Sequence, residues 1–142
     1  LPEAQLDRFR FLLSLGYPGA EAELLILERE ERANPLDDVQ PALTLDDILH
    51  LQTEALRVEV ARPVTEYIVR LITATRAHPD VMLGVRPRGG VALQRAAQAM
   101  ALLNDRPFAM PDDVKAAAAT LSHRLITRAR GLATRQKVIR AC

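Results

Sequence analysis

The chain has 142 residues, 49% of them hydrophobic and 26% charged, with 19 basic and 18 acidic side chains for a net charge of +1. That suits one ordinary globular domain with a real core and excludes collagenous and disordered classes. With three Phe, two Tyr and no Trp, the core must be Leu, Ile, Val and Ala, which favours helix-on-helix packing and disfavours base stacking on aromatic platforms.

Pro2-Glu3-Ala4-Gln5-Leu6-Asp7-Arg8-Phe9 reads as a short helical or turn segment. Phe9-Arg10-Phe11-Leu12-Leu13-Ser14-Leu15-Gly16 is a short apolar run closed by Gly16 and Pro18, which makes it a candidate strand. A lone strand leaves its backbone groups unpaired, so its sheet is expected upstream of residue 1. The chain also opens in mid-pattern without a Met, and we expect a fragment of a longer protein.

Residues 20–33 read as a helix with Leu24, Leu25 and Leu27, followed by a Pro-marked loop over residues 34–42. Thr44 is a helix cap, with Asp46 and Asp47 in the first turn and Leu45, Ile48, Leu49 and Leu56 forming a stripe. Residues 57–61 alternate polar and apolar as a short extended connector. The clearest helix runs from Pro63 to about His78, with Val64, Tyr67, Ile68, Leu71 and Ile72 on one face and Pro79 as its stop. A loop over residues 80–90 follows, then a helix over residues 91–104 expected to bury Ala92, Ala96, Ala99 and Leu103, with Leu93 and Met100 beside them. Pro111 opens a helix expected to bury Val114, Ala117, Leu121 and Leu125, with Asp112 and Asp113 on its positive dipole end. Gly131 breaks the pattern, and residues 134–141 form a last basic helical segment.

Charge is unevenly distributed. Residues 1–66 carry fourteen acids and six bases, residues 67–142 four acids and thirteen bases, and no acid follows Val114. Such asymmetry marks a nucleic-acid surface or a charge-complementary partner. Cys142 is the only cysteine, so neither a disulfide framework nor a thiolate metal site is available. No apolar run approaches membrane-spanning length and no secretory leader is legible, so a cytoplasmic protein without a membrane partner is expected.

Most catalytic signatures are missing. The chain has no Gly-x-x-x-x-Gly-Lys-[Ser/Thr] phosphate loop, no His-Glu-x-x-His and no Gly-x-Ser-x-Gly. His50, His78 and His123 lack ligand spacing, and no metal site is expected. The pairs Asp37-Asp38, Asp46-Asp47 and Asp112-Asp113 fall at loops and helix starts, where dipole and solvation account for them. One stretch stands out: Gly84-Val85-Arg86-Pro87-Arg88-Gly89-Gly90, directly before a helical pattern. A helix N-terminus offers unpaired N–H groups, glycines allow close approach, and guanidiniums add forked donors, so this is a candidate anion site as well as a simple turn with solvated arginines.

Several stretches together carry a resemblance. Leu1-Pro2-Glu3-Ala4-Gln5-Leu6-Asp7-Arg8-Phe9 and Ser14-Leu15-Gly16-Tyr17-Pro18 come first; Ala74-Thr75-Arg76-Ala77-His78-Pro79-Asp80 and Gly84-Val85-Arg86-Pro87-Arg88-Gly89 follow. Met110-Pro111-Asp112-Asp113-Val114-Lys115 and His123-Arg124-Leu125 complete the series. In this order they resemble the MoxR family of AAA+ ATPases over residues 1 to about 126. The family commonly has Gly-Ala-Ser-Pro-Arg where this chain has Gly-Val-Arg-Pro-Arg.

The resemblance implies a mainly α fold: a helical-bundle lid domain over residues 19–126, preceded by a remnant of the α/β nucleotide-binding core over residues 1–18. A basic helix or tail would follow over residues 127–142. It implies that Arg88 is the sensor 2 arginine, reaching the β/γ-phosphates of ATP, and that Arg8 is an arginine finger acting in a neighbouring subunit. Gly89 would border the nucleotide, and Arg86 is left open between a second phosphate contact and an exposed charge. ATP and Mg2+ would be cofactors of the full-length protein and none of the fragment, which would be inactive alone. The family implies a homo-oligomeric ring, a hexamer, that remodels or matures client proteins, some with von Willebrand factor A domains. The alternative is a helical nucleic-acid-binding or protein-interaction module without an ATPase role. The basic C-terminal third supports it, while the near-zero net charge and scarce aromatics count against nucleic acid.

Overall fold

The computed structural model describes residues 5, 8–9, 11–13, 15–30, 37, 39–120, 125–127 and 132–142. Expectations on Pro2, Asp38, Leu121, His123, Arg124 and Gly131 lie outside the described residues. The elements in order are α1 (Ala20–Glu30), α2 (Leu45–Arg57), α3 (Arg62–Ala77), β1 (Val81–Leu83), α4 (Pro87–Leu103), α5 (Pro111–Ala118), β2 (Ile126–Thr127) and α6 (Leu132–Ala141). The chain is mainly helical, as its composition requires. It divides into two compact units, Ser14–His50 and a larger one made of Leu1–Leu13 with Leu51–Cys142.

In the smaller unit, α1 begins after Gly16, whose φ of 72° is the left-handed turn only glycine adopts without penalty. The start of α2 is fixed by a reciprocal cap. Thr44 Oγ1 accepts from the Asp47 amide at 3.1 Å, and the Asp47 carboxylate accepts from the Thr44 amide at 2.8 Å and its hydroxyl at 2.6 Å. These bonds hold the Asp47 carboxyl below its ordinary range.

The core of the larger unit is centred on α4. Leu93, Ala97 and Ala101 are almost wholly buried, facing Val114 and Ala117 of α5 and Ile68, Leu71 and Ile72 of α3. Alanine at positions 96, 97 and 101 lets the helix axes approach closely. The expected face was turned by about one residue: Ala92 and Ala96 are buried, but Leu103 is 78% exposed. Leu125, expected on α5, is fully buried from a position beyond that helix. From α6, Val138 and Ile139 join the same core.

Two other stretches bear on the expected strands. The described residues between 9 and 16 form no strand within this chain, the sheet being expected upstream of residue 1; they are exposed, and Leu12 N–H donates to the Thr120 carbonyl at 3.0 Å. A strand needs a paired neighbour, and none lies alongside among the described residues. Conversely, β1 and β2 pair antiparallel, Val81 with Thr127 and Leu83 with Ile126. At three and two residues they are too short to produce an alternating pattern. The α2–α3 connector is tied across the fold: Glu59 N–H donates to the Pro107 carbonyl and its own carbonyl accepts from Ala109 N–H, both at 2.9 Å.

Candidate functional site

The arginine-rich stretch is more ordered than a loop. Helix α4 starts at Pro87, so Pro87, Arg88, Gly89 and Gly90 form its first turn and Arg86 is its N-cap. Proline at the first position is preset for helical φ and forgoes an amide that would be unpaired there. Gly89 N–H donates to the Arg86 carbonyl at 2.8 Å, so its amide is already satisfied. Both Gly89 and Gly90 are buried; a Cβ at Gly90 would stand 3.1 Å from Ile72 Cδ1 on α3.

What aims this turn is the clamp on Val85, just before it. Thr75, 1% exposed at the end of α3, donates its hydroxyl to the Ile72 carbonyl at 2.7 Å and accepts from Val85 N–H at 3.1 Å. Arg76 Nε donates to the Val85 carbonyl at 2.9 Å. Both backbone groups of Val85 are therefore held by consecutive side chains of α3. Gly84 makes this possible, because a Cβ there would lie 2.7 Å from the Arg76 Cα. Sequence reasoning quoted Thr75 and Arg76 only as part of a family stretch; no periodicity identifies a side chain that holds backbone nine or ten residues on.

Arg88 lines a groove of about 880 Å³ within the larger unit. Arg8 and Arg95 line it too, and Ala92, Ala96 and Ala99 of α4 with Ala55 and Leu56 of α2 give it an apolar floor. No acidic residue is among the described lining residues. Arg8 and Arg88 have no carboxylate partner among the described residues, whereas Arg95 Nη1 donates to Gln98 Oε1 at 2.9 Å. The groove is thus a cationic pocket over a methyl-lined surface, suited to an anion with an apolar portion. Of the residues singled out in the sequence, Arg8 and Arg88 come together here; Arg86 is exposed and Gly89 is buried, and neither lines the groove. Arg95 was missed, although its spacing of seven from Arg88 places both on one helix face.

The remaining candidates have structural roles. His78 Nδ1 accepts from Asp80 N–H at 3.2 Å. Asp112 pairs with Lys115 at the surface, at 3.1 Å. Asp113, 5% exposed, makes a bidentate pair with Arg106, Oδ1 to Nη2 at 2.5 Å and Oδ2 to Nη1 at 2.9 Å. That pairing, helped by Met110 N–H at 2.8 Å, holds the Asp113 carboxyl below its ordinary range against the opposing effect of burial. Among the described residues, no group of three or more His, Cys, Asp or Glu is arranged to hold a metal ion, and no helix is long and apolar enough to cross a membrane.

Comparison with known proteins agrees with this architecture. Residues 73–141 match the AAA lid domain family. The chain is 46% identical over 127 residues to the uncharacterized protein YeaC of Bacillus subtilis, covering 89% of this chain and 40% of that protein. It is 34% identical over 136 residues to chaperone MoxR1 of Mycobacterium tuberculosis, covering 89% of this chain and 36% of that one. A crystal structure of a candidate ATPase from Cytophaga hutchinsonii superposes with a TM-score of 0.83 at 29% identity, over 99% of this chain and 48% of that chain. The chain therefore spans less than half the length of these relatives. With a lid-domain match over residues 73–141, a chaperone relative and an ATPase-like structure, the chain belongs to the MoxR-type AAA+ family.

Proposed function

We propose that the groove is the lid side of an ATP site and that the complete protein is an AAA+ ATP hydrolase. The observation that carries this reading is the placement of Arg88 and Arg95 along one groove with no carboxylate among its described lining residues. Arg88 acts as sensor 2. Its fork meets the β/γ-phosphates, neutralises charge that develops on the transferred phosphoryl group, and links nucleotide state to the position of α4. The clamp on Val85 keeps the first turn of α4 at a fixed distance from α3, so that the guanidinium is delivered from a rigid base. Gly89 contributes through close packing of that turn, and Arg86, exposed at the N-cap, adds positive charge near the phosphates. Mg2+ enters with ATP and is assigned to no residue here.

On this reading residues 1–18 are the end of the nucleotide-binding core, residues 19–126 the lid and residues 127–142 a basic C-terminal helix. Alone, the chain would not turn over ATP. Arg8 serves as the arginine finger of a homo-oligomeric ring, a hexamer. The ring converts ATP turnover into chaperone-like remodelling or maturation of clients, including proteins with von Willebrand factor A domains, in the cytoplasm. The 34% identity to a chaperone supports the client role.

The test is Arg88→Ala in the complete protein. ATP turnover falls on the order of a hundredfold or more, as expected for loss of a charged donor to the transition state, while the melting temperature stays within about two degrees because Arg88 is exposed. Wild-type turnover in this variant would overturn the reading.

A further inference from the structure

We propose that Arg95 holds the nucleoside end of the nucleotide whose phosphates Arg88 meets, an inference that rests on the groove being the lid side of an ATP site. The two arginines are seven residues apart on α4, which is two helical turns or roughly 10.5 Å along the axis. An extended nucleotide spans that length between its terminal phosphate and its base, so a base lies opposite Arg95 when the terminal phosphate meets Arg88. Val91 and Ala92 between them, and Ala96 and Ala99 beyond Arg95, line the groove with apolar groups only, a surface against which a purine packs.

Arg95 is also a restrained cation rather than a freely moving one. Its Nη1 donates to Gln98 Oε1 at 2.9 Å, and Gln98, 4% exposed, is itself anchored by its Nε2 donating to the Val58 carbonyl at 2.8 Å. One nitrogen of the guanidinium is thereby fixed, and its remaining donors and its planar face are left for a ligand. A planar cation beside an apolar floor donates its forked N–H groups to the ring acceptors of a base lying on that floor. Arg88, without such a restraint, is the phosphate partner.

The experiment measures binding of ATP, ADP, AMP and inorganic tripolyphosphate to the complete protein by calorimetry. Arg95→Ala weakens ATP, ADP and AMP by the same factor, about tenfold, and leaves tripolyphosphate unchanged. Arg88→Ala weakens ATP and tripolyphosphate more than AMP. Arg95→Lys, which keeps the charge but not the plane, retains the loss. Unaltered nucleotide binding in Arg95→Ala, a loss shared by tripolyphosphate, or full rescue by lysine would overturn the assignment of Arg95. Wild-type binding of ATP and tripolyphosphate in Arg88→Ala would instead remove the groove reading itself, and this inference with it.

Discussion

At Gly84 a methyl group would stand 2.7 Å from the Cα of Arg76 and 2.8 Å from its amide nitrogen, both backbone atoms that cannot rotate away. At Gly90 the obstacle is only the Cδ1 of Ile72, at 3.1 Å, the far end of a side chain that can yield. The two substitutions therefore diverge. Gly84→Ala must push β1 and Val85 off α3, breaking the Thr75 and Arg76 bonds, and costs roughly 2–4 kcal/mol with loss of ATP turnover in the complete protein. Gly90→Ala gains helix propensity of about 1 kcal/mol and loses a comparable amount to crowding, so its stability stays within about 0.5 kcal/mol of wild type. Urea melts of both variants check the pair; equal stabilities would mean that Gly84 is not the contact that positions the arginine turn. In the sequence the two glycines look alike, flanking one motif six residues apart. What separates them is a helix reached through folding, which no local pattern encodes.

The connection between α4 and α5 shows what the elements contribute together. Asp105 takes a φ of 52°, and the amides of Asp105 and Arg106 return to the carbonyls of Leu102 and Ala101 at 3.0 and 2.9 Å, closing the C-terminus of α4. That reversal swings Arg106 across to Asp113 in the first turn of α5. The sequence placed Asp112 and Asp113 together on the helix dipole. Their separate fates, one at the surface with Lys115 and one buried with Arg106, depend on a left-handed turn at a non-glycine position. The helix start itself was legible, from proline followed by acids. The consequence is a dependence on pH. The folded-state pKa of Asp113 is lowered, so its contribution is fully present above the unfolded carboxyl value of about 4 and is lost as pH falls through the lower folded value. Arg106 stays charged throughout. Asp113→Asn is expected to destabilise the fold by roughly 1–3 kcal/mol at pH 7, discounted for the part-exposed guanidinium. The gap to wild type should narrow below about pH 4. The exposed Thr44–Asp47 cap has the same sign of pH dependence and is untouched by the substitution. A gap that stayed constant from pH 7 to pH 3 in denaturant titrations would show that the pair does not titrate as the geometry requires.

At the scale of the whole molecule, motif order along the chain pointed to the family before any contact was visible. The helical pattern pointed to the bundle, because leucine and alanine periodicities survive whatever the helices pack against. The N-terminal stretch differs, because a strand depends on a sheet that was expected outside this chain. An apolar run of strand length reads the same with or without a neighbour to pair with, and here Leu12 finds the Thr120 carbonyl instead. This sets the question of Arg8. Within one chain it lines the same groove as Arg88, while the arginine-finger assignment sends it to an adjacent subunit. Two variants of the complete protein, Arg8→Ala and Arg88→Ala, each expected to lose turnover, separate these arrangements. If Arg8 acts across an interface, a subunit with Arg8→Ala still offers an intact Arg88, and a neighbour with Arg88→Ala still offers an intact Arg8. Mixing the two rebuilds whole sites at some interfaces of a head-to-tail ring. An equal mixture then recovers about a quarter of wild-type turnover if sites act independently, because each needs one subunit of each kind in the right order. We expect that recovery. If both arginines serve the groove of their own chain, every subunit in the mixture lacks one of them, and turnover stays at the level of the separate variants whatever the ratio.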